Sequence, residues 1–183
     1  MIIGIAGSIA SGKTLISETL VEKGFIEFDL SDGVIEEAMK QGIPIERKAL
    51  QNFGNAMREK YGNGYWAYNV IKKLERDKNY AIRGFKNPGE VDAFKQLGNF
   101  ILIGIDAPLE KRIAWILARN KSMDPKTAEE IKAIDLRDKG SAEESSGQQS
   151  RRCYDMADVF ILNDGTFDDL SKKILELLEI IKC

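Results

Sequence analysis

Residues 7 to 14 read Gly-Ser-Ile-Ala-Ser-Gly-Lys-Thr, the spacing G-x-x-x-x-G-K-[ST] of a P-loop or Walker A pattern. The chemistry such a run supports is the holding of phosphate. Its glycines let the backbone turn successive N–H groups inward onto an anion. Gly7, Ser8, Ala10, Ser11 and Gly12 supply that backbone here. Lys13 is placed to reach the β- and γ-phosphates of a nucleotide, and Thr14 to offer its hydroxyl to Mg2+. A helix beginning at this point adds the positive end of its dipole. ATP and Mg2+ are therefore the expected ligands.

Other chemistries are excluded by composition. The chain has no histidine, which removes imidazole bases, imidazole metal ligands and a Ser-His-Asp triad. A general base must be a carboxylate or a lysine. The two cysteines, Cys153 and Cys183, lack metal-ligand spacing and fit a reducing compartment.

A P-loop works only between a strand and a helix. The apolar run Met1–Ala6 predicts a buried strand before it. Leu15, Ile16, Thr19, Leu20 and Lys23 keep helical spacing after it, and Gly24 is a stop signal. Further strands are expected over 25–29, 79–82, 100–105 and 159–162. Helical stretches are expected at about 34–41, 46–60 and 65–77, from Pro88 to about Leu97, and from Pro108 to about Arg119. A C-terminal helix carries Phe167, Leu170, Ile174, Leu177, Leu178 and Ile181 as a core-facing stripe. Phe53, Tyr65 and Trp66 read as core at helical spacing.

This alternation predicts one α/β domain over residues 1–183. It is a three-layer P-loop NTPase fold, with a five-stranded parallel sheet, helices on both faces and ligands at the C-terminal strand ends. The helix-rich stretches at about 34–77 and 119–150 interrupt the core. They read as an acceptor-binding insertion and a lid. The polar run 140–150 reads as a loop.

The 183 residues are 43% hydrophobic and 31% charged, a globular composition. The net charge of −2 argues against extended nucleic-acid binding. No apolar run approaches a membrane span, and the first strand starts at once, so a cytoplasmic protein without a signal peptide is expected. Nothing in the sequence fixes an oligomeric state.

The chain resembles the small P-loop kinases that include adenylate kinase, other nucleoside monophosphate kinases and dephospho-CoA kinase. Beyond the P-loop, Ile105-Asp106-Ala107-Pro108 with Arg112 and Arg119 is similar to the strand-four and lid-helix region of dephospho-CoA kinases. Residues 157–166 (Ala-Asp-Val-Phe-Ile-Leu-Asn-Asp-Gly-Thr) with Leu170 are similar to that family's tail. The loop after the last strand lies near the adenine there, which implies nucleotide contacts for Asn163 and Gly165. Arg83-Gly84-Phe85-Lys86 is similar to the D-G-F-P-R segment of adenylate kinases. Arg83 is a departure, because the family aspartate helps to organise Mg2+. Arginine is always cationic and accepts no hydrogen bond. Asp29, Asp32 and Asp106 are the candidate substitutes. Otherwise the acceptor differs or catalysis is weak.

The resemblance implies an ATP-dependent phosphotransferase acting on a small nucleotide-type acceptor, either a (deoxy)nucleoside monophosphate or dephospho-CoA. The tail and lid favour dephospho-CoA, whereas the Arg83-Gly84-Phe85 segment and Arg58 favour a monophosphate. Lys13, Arg112 and Arg119 are the expected phosphate clamps, with Lys121 just beyond. Trp115 stands where some relatives carry another arginine. Asp32 follows the second strand, where a carboxylate can take the proton of an acceptor hydroxyl, orient Mg2+, or share helix capping with Ser31. Arg58, Arg83 and Lys86 are expected to touch the acceptor. The alternative, motivated by Arg83, is a P-loop regulatory protein with weak or no phosphotransfer.

Overall fold

The structure is a computed structural model that describes residues 1–119, 124–141 and 143–181. Lys121 and Cys183 lie outside the described residues. Strand β1 (Ile2–Gly7) is buried throughout. It pairs with β3 (Tyr80–Arg83) on one side and β4 (Phe100–Asp106) on the other. Strands β2 (Ile26–Asp29) and β5 (Val159–Leu162) form the edges, so the order is β2-β3-β1-β4-β5. Every pairing is parallel. A parallel sheet has both faces covered, which is why its central strands are nearly continuous apolar runs.

Alternation along β1 divides the core in two. Ile2 and Ala6 enter one cluster with Leu30, Trp66, Phe85, Phe94 and Leu102. Ile3 and Ile5 enter the other with Ile16, Leu20, Ile103, Leu170, Ile174 and Leu178. Helices α1 (Lys13–Glu22) and α9 (Phe167–Ile180) cover the second face. The first is covered by α2 (Leu30–Lys40), α4 (Tyr65–Ile71), α5 (Pro88–Lys95) and α8 (Ser150–Asp155). Helices α3 (Arg47–Tyr61), α6 (Leu109–Arg119) and α7 (Ala128–Lys139) complete the chain. None of the helices among the described residues is long and apolar enough to cross a membrane.

Three local details differ from expectation. Helix α2 starts at Leu30 rather than near residue 34. Its N-cap is Asp29, the last residue of β2, whose carboxylate accepts the Ser31 N–H at 2.8 Å. Strand and helix thus join without a linker, and Ser31 and Asp32 fall inside the first turn. Helix α4 ends at Ile71, because the charged run Lys72, Lys73, Glu75, Arg76, Asp77 and Lys78 leaves Leu74 as its one side chain packed on the core. Helix α8 is too short to show a period, and it is anchored by buried Cys153. The expected core aromatics hold: Trp66 is buried against Phe53 and Tyr65, and its Nε1 donates to the Gly54 carbonyl at 3.3 Å.

The second insertion docks on the first. Arg137 donates to Gln51 and Asn52 of α3 at 3.1 and 2.7 Å. Asn55 donates to Glu143 at 2.6 Å. Asn87, ahead of α5, donates to the carbonyls of Ser145 and Gly147, each at 2.9 Å.

Candidate functional site

The loop between β1 and α1 has the backbone that a phosphate cradle requires. Gly7 has φ +154°, and a Cβ there would stand 1.9 Å from the Ile105 carbonyl oxygen. Ala10, at φ 58°, is the one non-glycine in the left-handed region among the described residues. The Ser11 hydroxyl is fully buried and has no protein partner, which marks the loop as a place where a ligand completes the hydrogen bonding. The Lys13 ammonium donates to the carbonyls of Gly7 and Ser8 at 3.0 and 2.6 Å. Burial, reinforced by the charge of Lys86, pulls its pKa down to about 7.

A cleft of about 330 Å³ opens on the loop. Its walls include Lys13, Thr14, Asp29, Arg47, Arg83, Lys86, Trp115, Arg119 and Asp138. Strand register builds one wall: β2 and β3 pair Asp29 with Arg83 at their C-terminal ends. Arg83 Nη1 lies 2.9 Å from Asp29 Oδ2, and its Nε donates to Glu27. Burial opposes the charge on Arg83, but Asp29 and Glu27 outweigh it and raise the pKa further. Gly84 follows at φ +88°, and a Cβ there would stand 2.2 Å from Asp29 Oδ1, so only glycine lets the chain pass. Of the three carboxylates proposed to replace the family aspartate, Asp29 alone lines this cleft. Asp106 accepts the Ala107 N–H at 2.9 Å, and Asp32 is exposed on α2.

Arg119 reaches the cleft from the end of α6, held by Asp124 through contacts of 2.6 and 2.8 Å. Arg112 does not reach it. It is 1% exposed, and its guanidinium donates to the carbonyls of Ala107 and Ile9 and to both oxygens of Asp135. The expected clamp is instead a positioning residue that ties α7 to the phosphate loop. Arg58, expected to touch the acceptor, is 3% exposed and pairs with buried Glu90 at 2.8 Å, and it also lines a pocket beside α3. Glu90 also accepts the backbone N–H groups of Lys86 and Asn87, so Arg58 holds α3 to the start of α5.

A second pocket, about 220 Å³, adjoins the cleft between α2, α3 and Gln148. Val34, Ile35 and Leu50 form an apolar wall. Ser31, Arg47, Lys86 and Asp138 line both cavities. Lys86 pairs with Asp138 at 2.8 Å, and Gln51 donates to the other Asp138 oxygen at 2.7 Å. Burial opposes ionisation of Asp138, yet Lys86, Arg47 and the Gln51 amide hold its pKa below the usual carboxylate range. Asp138, Arg47 and Gln148 went unread because no motif contains them. The available signal was the capping box at Thr127 and Glu130 with Gly140 at the other end, which frames α7 and sets Asp135 and Asp138 one turn apart. A third pocket, about 310 Å³, lies between Trp115 and the segment carrying Asn163 and Gly165. Asn163 braces that segment on the phosphate loop by donating to the Ser11 carbonyl at 3.0 Å.

The chain is 32% identical over 180 residues to a UPF0200 protein of Sulfurisphaera tokodaii, covering 98% of this chain and 97% of that one. The chain belongs to the UPF0200 family. No family model matches it. Among solved structures, a shikimate kinase from Aquifex aeolicus superposes on this UPF0200 chain with TM-score 0.54 at 18% identity, covering 100% of this chain and 98% of that one. A gluconokinase from Sinorhizobium meliloti gives 0.53 at 14%, with coverage of 98% and 91%. The likeness is one of fold, the three-layer α/β architecture of P-loop kinases.

Two predictions follow from these environments. Lys13 is mostly neutral at about pH 8.5 without ligand, and a bound polyphosphate restores its charge. ATP binding should therefore take up close to one proton at that pH and almost none near pH 6, with affinity falling as pH rises through 7. Calorimetry in buffers of different ionisation enthalpy reads this directly. Arg58→Ala in this UPF0200 protein leaves Glu90 charged and buried, and should cost about 3–5 kcal/mol in denaturant unfolding. A loss below about 1 kcal/mol would show that Arg58 is not a structural tie.

Proposed function

We propose that the chain is an ATP-dependent phosphotransferase acting on a small nucleotide-type acceptor. The observation that carries this reading is the junction of two cavities. The P-loop cleft and the pocket under α3 share Ser31, Arg47, Lys86 and Asp138. A donor phosphate on the loop and an acceptor in the pocket would therefore meet at common side chains, and that proximity is the main requirement of phosphoryl transfer. Shared fold with proteins named shikimate kinase and gluconokinase supports the same reaction class.

In this reading the loop amides, the Ser11 hydroxyl and Lys13 hold the phosphates. Arg119 and Lys86 flank the transferring group. The base and ribose occupy the pocket beside Trp115, Asn163 and Gly165. The Thr14 hydroxyl and the Asp29 carboxylate are hard oxygen donors in the cleft, the type that Mg2+ prefers, and they would hold it together with phosphate oxygens. Mg2+ bound there would neutralise charge on the β- and γ-phosphates. Because Asp29 stands beside Arg83, the cleft keeps a carboxylate where position 83 has lost one. The docked second insertion contributes Asp138 and Gln148 to the walls of the junction and would help to exclude water, as transfer to an acceptor rather than to water demands.

The test is ADP release from Mg-ATP against a panel of AMP, CMP, UMP, GMP, dTMP and dephospho-CoA. At least one acceptor should raise turnover well above the rate without acceptor. Lys13→Ala should lower that turnover by about 10²–10³-fold while leaving the melting temperature near that of the native chain. A flat panel with ATP still bound would favour a nucleotide-binding regulatory protein.

A further inference from the structure

We infer that the group phosphorylated in the acceptor pocket is an alcohol, and that Asp138 accepts its proton. The inference deepens the kinase reading above and rests on it.

Charge pairing in the pocket argues against a phosphate nucleophile. Arg58 is neutralised by Glu90 at 2.8 Å, and Lys86 by Asp138 at 2.8 Å. Arg47 is then the remaining cation of the wall. A phosphate dianion placed against Asp138 brings only acceptor oxygens, which repel that carboxylate and compete with it for Lys86. A neutral hydroxyl meets no such repulsion.

Asp138 is suited to receive it. It is 2% exposed and is the one carboxylate lining both the phosphate cleft and the pocket among the described residues. Each of its oxygens accepts one protein hydrogen bond, from Gln51 and from Lys86, which leaves a lone pair on each for a substrate hydroxyl. Asp29, the other acid of the cleft, does not reach the pocket. In the step, the alcohol oxygen bonds to the γ-phosphorus and the bond from that phosphorus to the β,γ-bridging oxygen breaks. ADP leaves, and the hydroxyl proton passes to Asp138 and later to water. A carboxylate of low basicity suffices where the transition state is loose, because its main task is to orient the nucleophile.

The pocket also shows what else the acceptor must carry. Gln148 is 6% exposed, and its side-chain carbonyl has no partner; nor has the buried Nε–H of Arg47. Both line the pocket. A ligand that fits presents an N–H or O–H to the first and an oxygen or ring nitrogen to the second, as a nucleoside or another polyhydroxylated molecule does.

The full chain is incubated with Mg-ATP and, separately, with nucleosides, dephospho-CoA and nucleoside monophosphates. Products are assigned by phosphorus NMR. A new phosphate monoester is expected. A new phosphoanhydride on a monophosphate acceptor would overturn the inference while leaving a kinase, and the absence of any phosphorylated product would overturn both. Asp138→Asn should reduce monoester formation by about 10²–10⁴-fold with the acceptor KM changed far less. Undiminished formation in a variant that melts like the native chain would overturn the role of Asp138. If the variant does not fold, the product assignment on the native chain still decides.

Discussion

The site depends on one buried guanidinium. Arg112 is 1% exposed, so its charge stands only if it is met inside the protein. Asp135 meets it with both oxygens, at 2.6 and 3.1 Å, and Lys139 adds a further contact to the same carboxylate at 2.8 Å. Burial works against ionisation of Asp135, but these two cations keep its pKa below the usual range. The remaining Arg112 donors fall on the Ala107 carbonyl after β4 and on the Ile9 carbonyl in the phosphate loop. One side chain therefore fixes the loop, the end of β4 and helix α7 together. One turn further along α7, Asp138 is delivered to Lys86 and Gln51. Loss of either partner would leave an uncompensated buried charge and release α7 from the loop.

The two insertions are joined by different physics from that of the core. Helix α9 meets the sheet through apolar side chains such as Leu170, Ile174 and Leu178. The seam that joins α3 to α7 and the segment after it is made of side-chain hydrogen bonds, among them Arg137 to Gln51 and Asn55 to Glu143. Each such bond has a charged partner and contributes about 1.5–3 kcal/mol net.

Legibility from sequence follows the same division. The sheet was readable because buried parallel strands carry unbroken apolar runs, as in Phe100–Ile105, and because Gly7, Gly12 and Lys13 combine in a pattern that few other structures need. Asn163 was placed near the nucleotide by resemblance, and it does brace the phosphate loop. Arg112 is misread as a clamp, and the buried pairing of Arg58 is not foreseen, because an arginine on a helix looks alike in sequence whether it faces phosphate or a buried acid. The deciding partners, Asp135 and Glu90, lie 23 and 32 residues away. Asp32 is favoured over Asp29 because α2 is expected to begin only near residue 34, which leaves Ser31 and Asp32 between strand and helix. A capping aspartate that is also the last strand residue gives no periodicity signal. Arg47, Asp138 and Gln148 converge from separate segments, and no local pattern anticipates that.

The pairing of charges across the cleft explains how a site rich in cations can still discriminate. Arg83 is held by Asp29 and Glu27, Lys86 by Asp138, and Arg119 by Asp124. These pairs fix long side chains in position before any ligand arrives, so binding need not freeze them. They also remove most of the diffuse positive field that would attract any anion. Lys13 stands apart: it donates to backbone carbonyls, and its pKa of about 7 reflects a charge the protein does not fully support. A polyphosphate threaded through the loop supplies the missing counter-charge there and reaches the unpartnered Ser11 hydroxyl. An anion elsewhere in the cleft would have to displace a carboxylate already in place, except beside Arg47, whose Nε–H has no partner. In the proposed phosphotransferase, recognition of phosphate would therefore concentrate on the loop and leave the rest of the cleft to position the acceptor.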